Sequence, residues 1–141
     1  MKKILFLFLT LLLITQTAKT DTIDICHIYY NQTIIREINY FGTNEIILNL
    51  DSIKRRDSIT VKYFRDTPCS DCFTCISIEN GKHQIIKTVT GRGIYNPISF
   101  SLKDLKKFRK LRKTDEFEIY YFDDFIKKQA DKILIVRLIF E

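Results

Sequence analysis

The stretch SITVKY, residues 58–63, shows the pattern that decides the fold of this chain. Its apolar side chains occupy every second position, and polar side chains occupy the positions between them. Successive side chains of a β-strand point to opposite faces, so this period of two turns one face toward a core and the other toward water. The stretch therefore predicts a half-buried strand of a layered β protein.

The same alternation recurs in three further segments of the chain. Apolar side chains take every second position at Ile46, Leu48 and Leu50, at Ile98, Phe100 and Leu102, and at Phe117, Ile119 and Tyr121. The last segment, residues 133–140, differs because it is apolar on both faces except for Arg137. A strand that is apolar on both faces is typical of the middle of a sheet that is covered on two sides.

Two turns connect predicted strands. Residues 23–30 and 33–38 are rich in β-branched and aromatic side chains, and they predict a hairpin that turns at residues 31–32. Asn80-Gly81 predicts a second, two-residue hairpin turn, because both residue types tolerate a positive φ. Pairing outward from this second turn gives the predicted register Glu79–Lys82, Ile78–His83 and Ile76–Ile85.

One segment departs from the alternation and predicts a short amphipathic helix. Its apolar residues recur at every third position: Leu102, Leu105, Phe108 and Leu111. Ser101 and Asp104 have the spacing of a capping box at the start of such a helix. A second helical turn, or else a long hairpin loop, is predicted for residues 124–131.

Together these patterns predict a mainly β protein, an antiparallel β-sandwich of about seven or eight strands with one or two short helices. Too few helices lie between the strands for a parallel α/β sheet. We expect one sandwich domain over residues 21–141, a length that buries roughly two-thirds of the unfolded surface.

The first twenty residues predict a secretory signal peptide. Lys2 and Lys3 precede an apolar run at residues 4–14, which Thr10 alone interrupts. This run is shorter than the roughly 20 apolar residues of a membrane-spanning helix, although an uncleaved anchor is the alternative. No second run of spanning length follows, so we expect a secreted or periplasmic chain with no transmembrane segment after removal of residues 1–20.

The net charge of the chain helps to decide which classes of partner are expected. The 141 residues include 23 basic and 17 acidic side chains. Residues 1–20 contain three of the basic residues and none of the acidic ones, so the mature chain carries a net charge of +3. This modest surplus, in a chain predicted to be exported, does not indicate nucleic-acid binding.

The basic residues of the predicted helix are the strongest candidate binding surface. They are Lys103, Lys106, Lys107, Arg109, Lys110, Arg112 and Lys113. Such a surface suits an acidic protein, an anionic envelope surface or a glycan as partner. The alternative is a solvated helix whose apolar stripe packs on the sandwich and whose charges have no ligand.

The four cysteines predict disulfides, because an even number of cysteines in an exported chain favours bridges. Cys69, Cys72 and Cys75 lie close together in the run CSDCFTC, and Cys26 lies alone near the start of the mature chain. We expect one bridge within the loop and a second from the loop to Cys26. The sequence does not determine the pairing.

The same cysteine loop allows two other interpretations. Three thiolates could converge on a metal ion, with Cys26, His27 or His83 as a fourth ligand. The spacing Cys69-Ser70-Asp71-Cys72 also allows thiol–disulfide exchange, with Asn96-Pro97 as a cis peptide beside the pair. No long helical pattern follows this pair, which weakens the exchange interpretation.

No catalytic constellation appears elsewhere in the chain. The neighbouring acids at residues 115–116 and 123–124 are typical of turns and caps, and the two histidines are isolated. The sequence therefore predicts an exported, non-enzymatic module without a cofactor that binds a protein, an envelope component or a glycan. The alternative function is a secreted redox or metal protein that uses the loop of Cys69, Cys72 and Cys75.

Overall fold

The computed structural model describes residues 24–39, 42–67, 69–126 and 131–141. Within these ranges two β-sheets pack against each other and a single helix joins one sheet to the other. The predicted β-sandwich with a short helix is therefore confirmed. The predicted signal peptide, residues 1–20, lies outside the described residues.

Nine strands and one helix follow one another along the described chain. The strands are β1 (Ile25–Tyr30), β2 (Thr33–Ile38), β3 (Glu45–Leu48), β4 (Ser58–Phe64), β5 (Phe73–Asn80), β6 (Ile85–Arg92), β7 (Ile98–Ser101), β8 (Glu116–Asp123) and β9 (Ile133–Phe140). The helix α1 (Leu102–Arg112) connects β7 to β8.

The first sheet has the strand order β2-β1-β4-β7 and the second has the order β3-β9-β8-β5-β6. All neighbouring strands are antiparallel except β3 and β9, which pair in parallel. The strand β9 lies inside the second sheet, between β3 and β8, as its apolar sequence predicts. The chain passes from β2 in the first sheet to β3 at one edge of the second sheet, where β3 runs parallel to β9.

The hairpin of β1 and β2 turns at residues 31–32, where the sequence predicts it. Asn31 takes a left-handed conformation with φ 55°, which asparagine tolerates better than most residues. Its side-chain oxygen accepts a hydrogen bond from the backbone N–H of Ser58 at 3.0 Å. The turn is thereby fixed to the start of β4.

The predicted register of the hairpin of β5 and β6 is wrong. In the structure Ile76 pairs with Val89, Ile78 with Lys87 and Glu79 with Ile85. The turn is longer than two residues, because the side-chain oxygen of Asn80 accepts hydrogen bonds from the backbone N–H groups of Lys82 and Gln84, each at 3.0 Å. The left-handed residue of this turn is His83, with φ 57°, and His83 is exposed to water.

The inner faces of the two sheets form the core. Its largest fully buried side chains include Tyr63, Tyr121, Phe117, Ile28, Ile59, Ile76, Ile78 and Ile119. The helix adds Leu102 and Leu105, which are also fully buried. Ser101 caps the helix by accepting a hydrogen bond from the backbone N–H of Lys103 at 3.2 Å.

The sandwich has two ends that differ in their loops. The helix pole is formed by residues 50–57, 80–84 and 101–115, where the backbone N–H of Leu102 donates to the carbonyl of Asp57 at 3.0 Å. The disulfide pole, at the other end, is formed by residues 65–67, 69–72, 92–97 and 123–126. Residues 124–126 turn there, and the remainder of the predicted second helix or loop includes residues 127–130, which lie outside the described residues.

Candidate functional site

Two of the seven basic side chains that were predicted to form a binding surface instead make contacts within the fold. The ammonium of Lys106 donates a hydrogen bond to the carbonyl of Leu50 at 2.8 Å. The guanidinium of Arg109 pairs with the carboxylate of Asp115 just beyond the helix. Both contacts attach α1 to its neighbouring loops, so these two cations have a structural role.

The other five basic side chains of the predicted surface are exposed and have no ionic partner within the described part of the chain. They are Lys103, Lys107, Lys110, Arg112 and Lys113. The one carboxylate in the helix, Asp104, is already paired with Lys87 of β6. Like charges three or four positions apart repel each other on a helix and destabilise it slightly. These five cations therefore do not hold the fold together and are available to a ligand.

A groove lies between the end of α1 and the tip of the hairpin of β5 and β6. Its first part, a cleft of about 560 Å³, is lined by Asn80, Gly81, Lys82, Gln84, Leu111, Arg112, Lys113 and Thr114. Its second part, of about 300 Å³, is lined by Asn80, Gln84, Ile85, Ile86, Phe108 and Arg112. The two parts share three residues, and no carboxylate lines either of them.

The chemistry of this groove is that of an anion-binding site with an apolar rim. Lys82, Arg112 and Lys113 supply three positive charges. A guanidinium can bind a carboxylate, sulfate or phosphate group through two parallel hydrogen bonds, whereas an ammonium acts as a point charge. Leu111 and Ile85, which are 66% and 53% exposed, add apolar surface at the edges of the groove.

The structure pairs two of the four cysteines that were predicted to form disulfides. Cys69 and Cys72 form a disulfide within the loop, with a Cα–Cα distance of 5.7 Å. Cys26 and Cys75 are free and fully buried, so the expected second bridge to Cys26 is not formed. The reason is geometric, because Cys26 of β1 belongs to the core between the sheets, whereas Cys75 lies on the opposite face of β5 from the core residues Ile76 and Ile78.

Burial also makes the two free thiols poor nucleophiles. Removal from water raises the pKa of Cys26 to about 12 and that of Cys75 to about 11, because the charged thiolate loses its hydration. Neither thiol ionises appreciably at neutral pH. Any thiol chemistry of the described chain is therefore confined to Cys69 and Cys72.

The metal interpretation of the cysteine loop receives no support from the geometry. Within the described ranges no three side chains of His, Cys, Asp or Glu are arranged to hold a metal ion. His83 lies at the helix pole, far from the loop, and its ring contacts Glu118 at 3.2 Å. The Asn96-Pro97 peptide bond is trans, which differs from the cis bond considered with thiol exchange.

Sequence reasoning missed a buried charge network on the outer face of the second sheet. Glu79 of β5 lies directly opposite Glu118 of β8. The carboxylate of Glu79, which is fully buried, accepts a hydrogen bond from the hydroxyl of Ser77 at 2.9 Å and pairs with Lys132. The carboxylate of Glu118 contacts the guanidinium of Arg137 at 3.2 Å. The two cations offset the two acids, so we interpret this network as structural.

A second buried network occupies the disulfide pole. The guanidinium of Arg65 lies 3.3 Å from the carboxylate of Asp123, whose side chain is fully buried, and 3.9 Å from that of Asp24. The hydroxyl of Tyr63 donates to the carboxylate of Asp24 at 2.6 Å, and the hydroxyl of Tyr121 donates to that of Asp123 at 3.2 Å. Burial, together with the neighbouring carboxylates, raises the pKa of both tyrosines. This network joins the two sheets at one end.

No helix within the described ranges has the length and apolar character needed to cross a membrane. A comparison with protein-family models finds no family that matches the sequence. A comparison with curated proteins likewise finds no protein of significant similarity. The functional argument therefore depends on the geometry of this chain.

Proposed function

We propose that this protein is an exported binding module that recognises an acidic polymer chain through the groove at the helix pole. The observation that carries the proposal is the set of five exposed cations with no ionic partner in the described chain, next to a groove without carboxylates. Such an unpaired positive surface attracts anions and accelerates their association.

The spread of the charges favours a polymer over a single small anion. The helix rises 1.5 Å per residue, so the cations from Lys103 to Lys113 extend over roughly 15 Å. A small anion contacts only two or three of these groups at once. A chain with repeated carboxylate, sulfate or phosphate groups can contact most of them, which favours an acidic segment of a protein or an acidic glycan.

The packing of α1 argues against insertion into an anionic envelope membrane. A helix that binds a membrane surface buries its apolar face in the lipid. In α1 that face is already used, because Leu102 and Leu105 are fully buried in the sandwich and Phe108 is partly buried. Leu111 is the one large apolar side chain of the helix that is mostly exposed.

Export is part of the proposal and rests on two observations. The N-terminal sequence has the charge and the short apolar run of a signal peptide. The Cys69–Cys72 disulfide is of a kind that persists mainly in oxidising compartments. Secretion to the periplasm or the medium suits an acidic protein or a glycan of the envelope as partner.

The proposal is tested by binding of the mature chain to three probes at low salt: poly-glutamate, heparin and vesicles that contain phosphatidylglycerol. We expect binding to one or both polymers and weaker binding to vesicles. The variant Lys110→Glu with Arg112→Glu should bind the polymer roughly 10- to 100-fold more weakly, which corresponds to about 1.4–2.8 kcal/mol. Added salt should weaken wild-type binding as well.

A matched variant distinguishes the effect of the groove on binding from the effect of the net charge. Arg36→Glu with Lys62→Glu, in the first sheet, changes the net charge by the same amount but leaves the helix pole intact. Its affinity should remain within about threefold of wild type, because neither side chain lines the groove or belongs to the basic helix. Equal losses in both variants, or no binding to any probe, would contradict the proposal.

A further inference from the structure

We propose that the Cys69–Cys72 disulfide is a thiol–disulfide exchange site for cysteine-containing peptides. This site lies at the disulfide pole, at the opposite end of the sandwich from the basic groove. The proposed activity is therefore independent of polymer binding, and either can fail without the other. The argument depends on the surroundings of the two sulfur atoms.

A backbone donor is directed at one sulfur of the pair. The N–H of Cys72 donates a hydrogen bond to Sγ of Cys69 at 2.9 Å. When the pair is reduced, the same donor stabilises a thiolate on Cys69 more than the neutral thiol. Among the described residues no backbone N–H donates to the sulfur of Cys72, which instead faces the carbonyl of Cys69 at 3.6 Å. The two sulfurs are therefore chemically unequal.

The two cysteines also differ in exposure, and this difference again favours attack at Cys69. Cys72 is 8% exposed and belongs to the core, whereas Cys69 is only partly buried and packs at the edge of the core. Ser70 and Asp71, between them, are exposed. A partner thiol therefore reaches Cys69 first, and Cys72 is placed to act as the leaving and resolving thiol.

The loop is held in position by contacts that do not depend on the bridge. The backbone N–H groups of Gly93 and Ile94 donate to the carbonyls of Cys72 and Cys69, each at 2.9 Å. Gly93 has φ +79°, and a Cβ at that position would lie 2.8 Å from the carbonyl oxygen of Ser70. Only glycine allows this close approach. The two cysteines therefore remain close together when the bridge opens.

The charges around the loop partly cancel. Asp71 alone would oppose a thiolate on Cys69, but the guanidinium of Arg92 contacts its carboxylate at 2.8 Å. The chain continues from Cys72 into β5 and not into a helix, so no helix dipole adds to the hydrogen bond. The hydrogen bond from the N–H of Cys72 is therefore the main contact that favours a thiolate on Cys69 over one on Cys72.

A cleft beside the loop indicates a peptide as the substrate. It has a volume of about 490 Å³ and is lined by Asp71, Phe73, Thr90, Gly91, Arg92 and Asp124. The ring of Phe73 is 41% exposed and offers an apolar surface next to charged groups. A residue that flanks a cysteine in a peptide could bind there, whereas a small thiol would not use the cleft.

The exchange step balances without any further reactant. A thiolate of a peptide dithiol attacks Sγ of Cys69, and the Cys69–Cys72 bond breaks. The sulfur of Cys72 leaves with the bonding electron pair and takes a proton from water. The second thiolate of the peptide then attacks the peptide's own sulfur in the mixed disulfide and releases Cys69 as a thiolate. The peptide is oxidised to a disulfide and the protein is reduced to a dithiol.

The test compares two matched variants, Cys72→Ala and Cys69→Ala, after reduction. Of the pair, the first variant keeps the thiol of Cys69 with its hydrogen bond from the N–H of residue 72, and the second keeps the thiol of Cys72; the buried thiols of Cys26 and Cys75 are present in both. We expect iodoacetamide at neutral pH to alkylate Cys69 roughly tenfold faster than Cys72, because Cys69 accepts the backbone hydrogen bond and is the more exposed of the two. Only Cys72→Ala should accumulate a mixed disulfide with an oxidised cysteine peptide.

Wild-type protein provides a measurement that does not depend on either variant's folding. Incubation with a peptide dithiol should convert the Cys69–Cys72 bridge to two thiols while circular dichroism remains unchanged, and Phe73→Ser should slow this reaction severalfold for the peptide but not for glutathione. Equal alkylation rates, or a bridge that the peptide reduces only after denaturation, would overturn the proposal and leave the bridge a structural crosslink.

Discussion

The charged side chains at the two poles of the sandwich differ in their burial and in their ion pairing. At the helix pole Lys107 and Lys110 stand in water with no carboxylate partner in the described part of the chain. At the disulfide pole Arg65 lies between Asp24 and Asp123, two tyrosine hydroxyls complete the network, and the side chain of Asp123 is fully buried. A buried charge without a partner costs several kcal/mol, whereas an exposed one costs little. The charges of the helix pole are therefore available to a ligand, whereas those of the disulfide pole stabilise the fold.

The largest effect is expected from Arg65→Ala at the disulfide pole. The change leaves the buried carboxylate of Asp123 without its opposite charge, and we expect the free energy of unfolding to fall by about 3–5 kcal/mol. Urea unfolding of the mature chain measures this loss. The double variant with Asp123→Asn should recover part of it, because the uncompensated charge is then gone. A loss below about 1 kcal/mol would show that the two poles do not differ.

A smaller effect is expected from removal of the disulfide at the same pole. The bridge closes a loop of four residues, and closing so short a loop stabilises a protein by about 2 kcal/mol in the chain-entropy model. The double variant Cys69→Ala with Cys72→Ala should lower the free energy of unfolding by about that amount. Thermal unfolding of the mature chain measures this loss. A loss larger than that of Arg65→Ala would mean that the crosslink, and not the ion pairs, holds this pole together.

The smallest effect on stability is expected at the helix pole. Lys107→Gln with Lys110→Gln removes two exposed cations, and the free energy of unfolding should change by less than about 0.5 kcal/mol. Relief of repulsion along the helix can even stabilise it slightly. Binding to the acidic polymer should nevertheless weaken in the same sample. A large loss of stability would show that these charges serve the fold.

Local patterns predicted much of the architecture because local physics controls it. Alternation of apolar side chains identified strands such as β4 and β8, and Ser101 marked the start of α1 through its hydrogen bond to a free backbone N–H. The hairpin of β1 and β2 followed from two neighbouring segments of β-branched and aromatic residues, with the turn at residues 31–32 between them. In each case the deciding interaction spans only a few residues.

The candidate site was predicted only in part. The basic residues of α1 were identified, but Lys82 and Ile85 of the groove were not, because the hairpin of β5 and β6 was assigned a shorter turn. The side-chain hydrogen bonds of Asn80 lengthen that turn and shift every cross-strand pair after it. The opposition of Glu79 and Glu118 depends on the pairing of β5 with β8, which no local pattern encodes.

The amino-acid sequence by itself determined the layered β class, the helix with its row of cations and the closeness of Cys69 to Cys72, since these depend on residues near each other in the chain. The tertiary structure decided which cations are free, which cysteines remain thiols and which acids meet across strands. Those outcomes depend on distances between residues far apart in sequence, and they are fixed only when the two sheets pack and exclude water from the space between them.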